Sequence, residues 1–209
     1  MAYNIIAENE NYTIVSDYQA IYRKSDKYQT EAQLEKELIK TLTEQGYDYL
    51  AIHKEQDLVD NLRVQLQRLN DYTFTDSEWK RFFNDVIANQ NEGIEAKTTK
   101  IQEDHIQVLK RDTGETKNIY LIDKKNIHNN YLQVINQYEE EQGKHDARYD
   151  VSILVNGLPL VHIELKRRGV QLKEAFNQID RYQRDSFWAG SGLYEYVQIF
   201  VISNGTNTK

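Results

Sequence analysis

Apolar residues keep a helical rhythm over the first half of the chain and a strand rhythm over the second. In "TEAQLEKELIKTLTEQG", Leu34, Leu38 and Leu42 recur every four residues, and Gln45 continues the stripe. Thr30 can cap the start and Gly46 suits the stop, which predicts a first helix. "DLVDNLRVQLQRLN" repeats the spacing through Leu58, Leu62, Leu66 and Leu69 and predicts a second. A third is expected to start at Thr75, which has the spacing of a capping box to Glu78, and to bury Trp79, Phe82, Phe83 and Val86.

After residue 100 the runs shorten. "HIQVLKRDTGETKNIYLID" reads as two strands around an Asp-Thr-Gly turn, and "NYLQVINQY" as another strand. The polar tract "EEEQGKHDAR" reads as a loop before the hairpin "RYDVSILVNGLPLVHIELKRRG". A helix from Leu172 to Asp185 should bury Leu172, Ala175, Phe176 and Ile179. The apolar run "YVQIFVIS" behind it suggests a parallel central strand reached by a crossover. Residues 1–29 read as an arm with one strand in "YTIVSDYQAIY", and residues 30–209 as one α/β domain.

Composition narrows the class. Hydrophobic residues make up 39% and charged residues 28%, as in a soluble globular protein. No apolar run approaches the ~18 residues of a membrane helix, and no secretory signal is visible at the N-terminus. The absence of cysteine removes disulfides and thiolate metal sites and fits a cytoplasmic setting. A net charge of -7 argues against nucleic acid at long range. A local basic strip can still track phosphates, and Lys166, Arg167, Arg168, Lys173, Arg181 and Arg184 form one.

The hairpin carries the candidate chemistry. Side chains alternate along strands. Val151, Ile153 and Val155 share a face, as do Val161, Ile163 and Leu165. If both apolar sets meet the core, Asp150, Glu164 and Lys166 fall together on the opposite face. Two converging carboxylates repel unless a cation lies between them. Magnesium takes one or two carboxylates, keeps waters and bridges to phosphate. A nearby lysine can orient a water or offset developing charge. The trio therefore suits metal-dependent phosphodiester cleavage; the competing reading is a solvent-facing sheet surface. The geometry requires a hairpin loop of odd length, with Asn156, Gly157 and Leu158 as a three-residue loop, or else a bulge. On the next helix, Gln178 and Tyr182 are neighbours at i and i+4 and could contact a phosphate or base.

The hairpin string, followed by "EAFNQIDRY" and "FVISNGT", resembles the N-terminal nuclease domain of the restriction (motor) subunit of type I restriction-modification enzymes, closest to the type IC branch. "YQTEAQLEKELIKTLTEQGYDYL" and "NIYLIDKKN" are similar to earlier parts of that domain. The resemblance implies the PD-(D/E)xK, restriction-endonuclease-like fold: a mixed β-sheet core flanked by α-helices. It implies Asp150 and Glu164 as catalytic, Mg2+-binding acids and Lys166 as the motif lysine. A Q-x-x-x-Y motif would fall on Gln178 and Tyr182, with Arg167, Arg168 and Arg181 as further DNA-contacting residues. Tyr149 stands where many members of the superfamily have proline. A first-helix acid often assists, and Glu31, Glu35 and Glu37 are all candidates.

The resemblance also implies a longer parent subunit with an ATP-driven translocase, and a complex with methyltransferase and specificity subunits on double-stranded DNA in the bacterial cytoplasm. Within these 209 residues the only Gly-Lys pair, Gly143-Lys144, lacks a phosphate-cradling loop, so ATP would be used elsewhere in that subunit. The alternative function is a non-catalytic nuclease-like module that docks the motor onto its partners. It predicts the loss of a site residue, and none is lost.

Overall fold

A computed structural model describes residues 4–8, 13–16, 29–140, 142–144 and 146–209. β1 (Asn4–Glu8) and β2 (Thr13–Ser16) pair as an antiparallel hairpin, where the sequence suggests one strand. The rest of the expected arm, Gln29 apart, lies outside the described residues.

The three predicted helices form as α1 (Glu31–Glu44), α2 (Glu55–Asn70) and α3 (Asp76–Phe82). Thr30 and Thr75 close capping boxes with Gln33 and Glu78, satisfying backbone N–H groups that a helix start leaves unpaired. Past Phe82 the helix widens into a π-turn over Phe83–Ile87. This rotates Ile87 fully inward, while Phe83 and Val86 are only half-buried. A further helix, α4 (Ile94–Gln102), and a two-residue strand, β3 (Asp48–Tyr49), are additions to the elements expected from sequence.

β4 (Ile106–Lys110) and β5 (Thr116–Tyr120) make the expected hairpin, separate from the main sheet. Its tip is tied to α3: Asp112 accepts hydrogen bonds from Thr75 and Ser77 at 2.5 Å and from Arg81 at 2.6 Å. These donors, Ser77 foremost, hold the Asp112 carboxyl down at about 2. Its contribution to stability is present above the ordinary carboxylate range and is lost as pH falls through 2. Asp112→Ala should therefore lower the melting temperature at pH 7, with a smaller deficit near pH 2, as thermal scans at the two pH values would show.

The main sheet follows the order β3, β6 (Leu132–Glu140), β7 (Ala147–Val155), β8 (Leu158–Leu165), β9 (Ile199–Ser203). β6, β7 and β8 are antiparallel, while β3 on β6 and β9 on β8 are parallel. The expected parallel strand thus forms, but at the sheet edge. Tyr196 and Val197 of the same apolar run are buried in and just after a 3-10 turn before β9 starts, and Ile199 is left exposed. α1 covers one face, packing Leu34, Leu38 and Leu42 on Val134, Val151, Ile163 and Leu165. The larger cluster, on the opposite face, joins α2, α3 and the β4–β5 hairpin to Tyr182 of α5 (Leu172–Asp185). Leu58, Leu62 and Leu66 of α2 are wholly buried, each burial being worth about 1.5–3 kcal/mol. Among the described residues no helix is long and apolar enough to cross a membrane.

Candidate active site

The β7–β8 turn is two residues, Asn156 and Gly157, and not the three expected. Both adopt positive φ, 52° and 85°, as tight hairpin turns of this sequence do. Val155 pairs with Leu158 and Leu154 with Pro159; a register shift follows, and Ile153 pairs with Val161. Leu160 is the extra residue. This bulge restores the parity that lets Asp150 and Glu164 converge, so the second of the two expected solutions is the one used.

The face that carries Glu164 is buried, not open to solvent: Glu164 and His162 are both 0% exposed. Lys166 Nζ donates to Glu164 Oε1 at 2.7 Å. Glu164 Oε2 is buried and has no hydrogen-bond partner among the described residues. His162 Nε2 lies 3.6 Å from that oxygen, within a ring of Tyr149, Tyr182, Phe187, Tyr194 and Phe200. Sequence reasoning leaves His162 without a role; its i, i+2 spacing to Glu164 is the available signal.

Asp150 Oδ2 accepts the Leu165 N–H at 2.9 Å. Burial, and then the charge of Glu164, push the Asp150 carboxyl up to about 7. The Leu165 N–H and Lys166 oppose that rise, and Glu35 adds to it. Of the three first-helix candidates, Glu35 is therefore the one coupled to Asp150; it accepts hydrogen bonds from Asn136 and Gln137. Glu31 accepts the Arg167 N–H at 3.1 Å, and Glu37 accepts from Gln29.

On α5 the buried stripe is Ala175, Ile179, Tyr182 and Asp185, whereas Phe176, expected inside, is 61% exposed. Tyr182 is buried, and its hydroxyl donates to the Arg148 carbonyl at 3.0 Å while accepting from Gln178. The pair thus fixes the strand two residues before Asp150. Arg181 is exposed with its guanidinium 5.6 Å from the Tyr182 ring, and Arg184 binds Asp185. Arg167 and Arg168 lie on the loop after β8. Arg168 lines a cavity of about 570 Å³ between α1 and the β8–β9 edge, which none of the trio lines.

Raised Asp150 fixes the sign of a pH effect. Its folded value exceeds the unfolded one, so the stability tied to its proton is full below about 4 and is lost as pH rises through about 7. Asp150→Asn, whose amide oxygen can still accept from Leu165, should exceed the wild type at pH 8 by up to about 4 kcal/mol in urea denaturation. That gap should close near pH 4. An unchanged gap across this range would contradict the placement.

The donor set suits a hard divalent cation. Glu164 offers an unpartnered buried carboxylate oxygen, and Asp150 is held up by burial and then by the charge of Glu164, a repulsion that a cation between them would relieve. Among the described residues no three His, Asp or Glu side chains form a ready-made cage. Magnesium needs only one or two carboxylates, with waters and phosphate completing its shell.

Residues 28–209 match the family described as type I restriction enzyme R protein N terminus. The chain belongs to that family. It is 47% identical over 205 residues to the type I restriction enzyme EcoprrI endonuclease subunit of Escherichia coli, covering 98% of this chain and 65% of the relative. It is 39% identical over 187 residues to the SsaAORF53P endonuclease subunit of Staphylococcus saprophyticus, covering 87% of this chain but 19% of that relative. The chain thus spans less than two thirds of the length of these R-protein relatives. As in a restriction-endonuclease-like domain, a five-stranded mixed sheet is flanked by helices.

Proposed function

We propose that Asp150, Glu164 and Lys166 form the PD-(D/E)xK site of a magnesium-dependent endonuclease that cuts double-stranded DNA. The observation that carries this reading is the buried Glu164 carboxylate, paired with Lys166 on one oxygen and unpartnered on the other, beside a raised Asp150. A surface kept only for docking has no use for such a costly arrangement.

Asp150 and Glu164 would hold the ion, which when bound supplies Lewis-acid stabilisation of the attacked phosphate and acidifies a water. Leu165 N–H keeps one Asp150 oxygen oriented. Lys166, bonded to Glu164, would orient the attacking water or offset charge on the phosphate. Gln178 and Tyr182 act through the Arg148 carbonyl, holding β7 in place. Arg167, Arg168 and Arg181 would track the DNA backbone without reading sequence.

In the longer subunit, cleavage would follow ATP-driven translocation and fall at a distance from the recognition site on unmodified DNA. Specificity and methyltransferase subunits would supply recognition in the bacterial cytoplasm. The test is the assembled complex on unmodified plasmid with ATP. Mg2+ should be required for strand breakage, and breakage that persists in a chelator at full rate would overturn the reading.

A further inference from the structure

We infer that Gln137 is a positioning residue, whose left-handed backbone breaks the β6–β7 ladder opposite Asp150 and so delivers that carboxylate to the site. The inference rests on the reading of Asp150 and Glu164 as a metal-binding pair.

Gln137 lies inside β6 with φ 52°, a region that residues other than glycine enter at a cost. The ladder pairs Asn136 with Val151 and Tyr138 with Tyr149, leaving out Gln137 and Asp150 between them. Both strands change faces at this point. Val134 and Val151 pack in the α1 cluster, whereas Tyr138 and Tyr149 join the opposite cluster, where their rings stack 5.9 Å apart. Regular alternation would have put Tyr138 with Val134 and Tyr149 with Val151.

The switch frees Asp150 from the ladder on both sides, because pairing to β8 also ends at Val151. Its carboxylate takes the Leu165 backbone N–H instead, a group in the hydrogen-bonding plane of the sheet. There it is coupled to Glu35 from the α1 layer and to Tyr182 from the opposite layer.

Two groups hold the break. Glu35 accepts from both Asn136 and Gln137, consecutive residues that regular alternation would point apart. His53 Nδ1 lies 3.1 Å from the Asn136 carbonyl oxygen and 3.3 Å from that of Gln137, and its own carbonyl accepts the Glu139 N–H.

Gln137→Gly and Gln137→Ala separate backbone from side chain, since both remove the amide that binds Glu35. In a regular strand glycine is the weaker of the two; at a left-handed position it is the better. The 209-residue chain and these variants would be melted thermally and titrated with Mn2+ by electron paramagnetic resonance, with Glu164→Ala as the control. Because neither variant keeps the Glu35 contact, the decisive comparison is between the two of them. Gln137→Gly should melt above Gln137→Ala and bind Mn2+ about tenfold more tightly. Equal or reversed order in either measurement overturns the inference alone. If the wild type binds Mn2+ no better than Glu164→Ala does, the metal site is wrong and the inference falls with it.

Discussion

Glu164→Ala in the assembled restriction complex should reduce DNA cleavage at least about a hundredfold, the scale on which losing one transition-state stabiliser acts, while ATP hydrolysis stays near the wild-type rate. Asp150→Ala and Lys166→Ala should behave alike. On the proposed reading Asp150 and Glu164 act together with Lys166, so each removal would leave a site unable to place charge opposite the phosphate. ATP turnover should survive because no phosphate-cradling motif occurs in these residues. Gln178→Ala should cost less, since Gln178 acts through Tyr182 and the Arg148 carbonyl. Plasmid cleavage and phosphate release, followed in the same reaction, check both halves. Full cutting by the Glu164 variant would sink the site assignment.

Gly157→Ala should be the most damaging single-methyl change in the hairpin. Gly157 has φ 85°, and a Cβ there would stand 2.6 Å from Leu62 Cα and 3.1 Å from Leu62 N. The obstacle is the backbone of α2, which cannot step aside as a side-chain tip can. A left-handed alanine costs about 1–2 kcal/mol and overpacking about 1–3 kcal/mol, so the total is roughly 2–5 kcal/mol. For a chain of this size that lowers the melting temperature by about 10 °C. Gly46→Ala provides the contrast: its φ is 94°, but nothing lies within 4 Å of the added carbon. It should show only the conformational part. Equal losses at the two positions would mean that the close approach of the turn to α2 is wrong.

The elements that can be read in advance are those whose signal is local. α1, α2 and α3 announce themselves through leucine or aromatic spacing and through Thr30 and Thr75. α4 does not, because it buries Lys97 and Lys100, which read as surface residues. The Lys97 charge is met by Glu195, nearly a hundred residues away and outside any local window, and that of Lys100 by Glu92, eight residues before it. Phe176 is expected inside because it falls on the apolar stripe with Leu172, Ala175 and Ile179. The helix is instead turned so that Tyr182, which has a hydrogen bond to gain at Arg148, is buried.

The candidate site divides the same way. Alternation alone brings Glu164 and Lys166 to one face and demands an odd loop or a bulge. The turn preference of Asn156-Gly157 then decides for two residues plus the bulge at Leu160. The face switch at Gln137 is beyond reach, since glutamine carries no sign of a left-handed backbone. Glu35 stands out from Glu31 and Glu37 only once Asn136 and Gln137 are seen to point at it.

If Asp150 and Glu164 hold one divalent cation, a crystal soaked in Mn2+ and measured for anomalous scattering should reveal it. A single strong peak should lie within about 2.0–2.4 Å of an oxygen from each carboxylate, the range of oxygen ligands to such ions. The Glu164 Oε2 atom, unpartnered without the ion, should be among its ligands. A crystal saturated with Mn2+ in which both carboxylates stay free of the ion would contradict the claim.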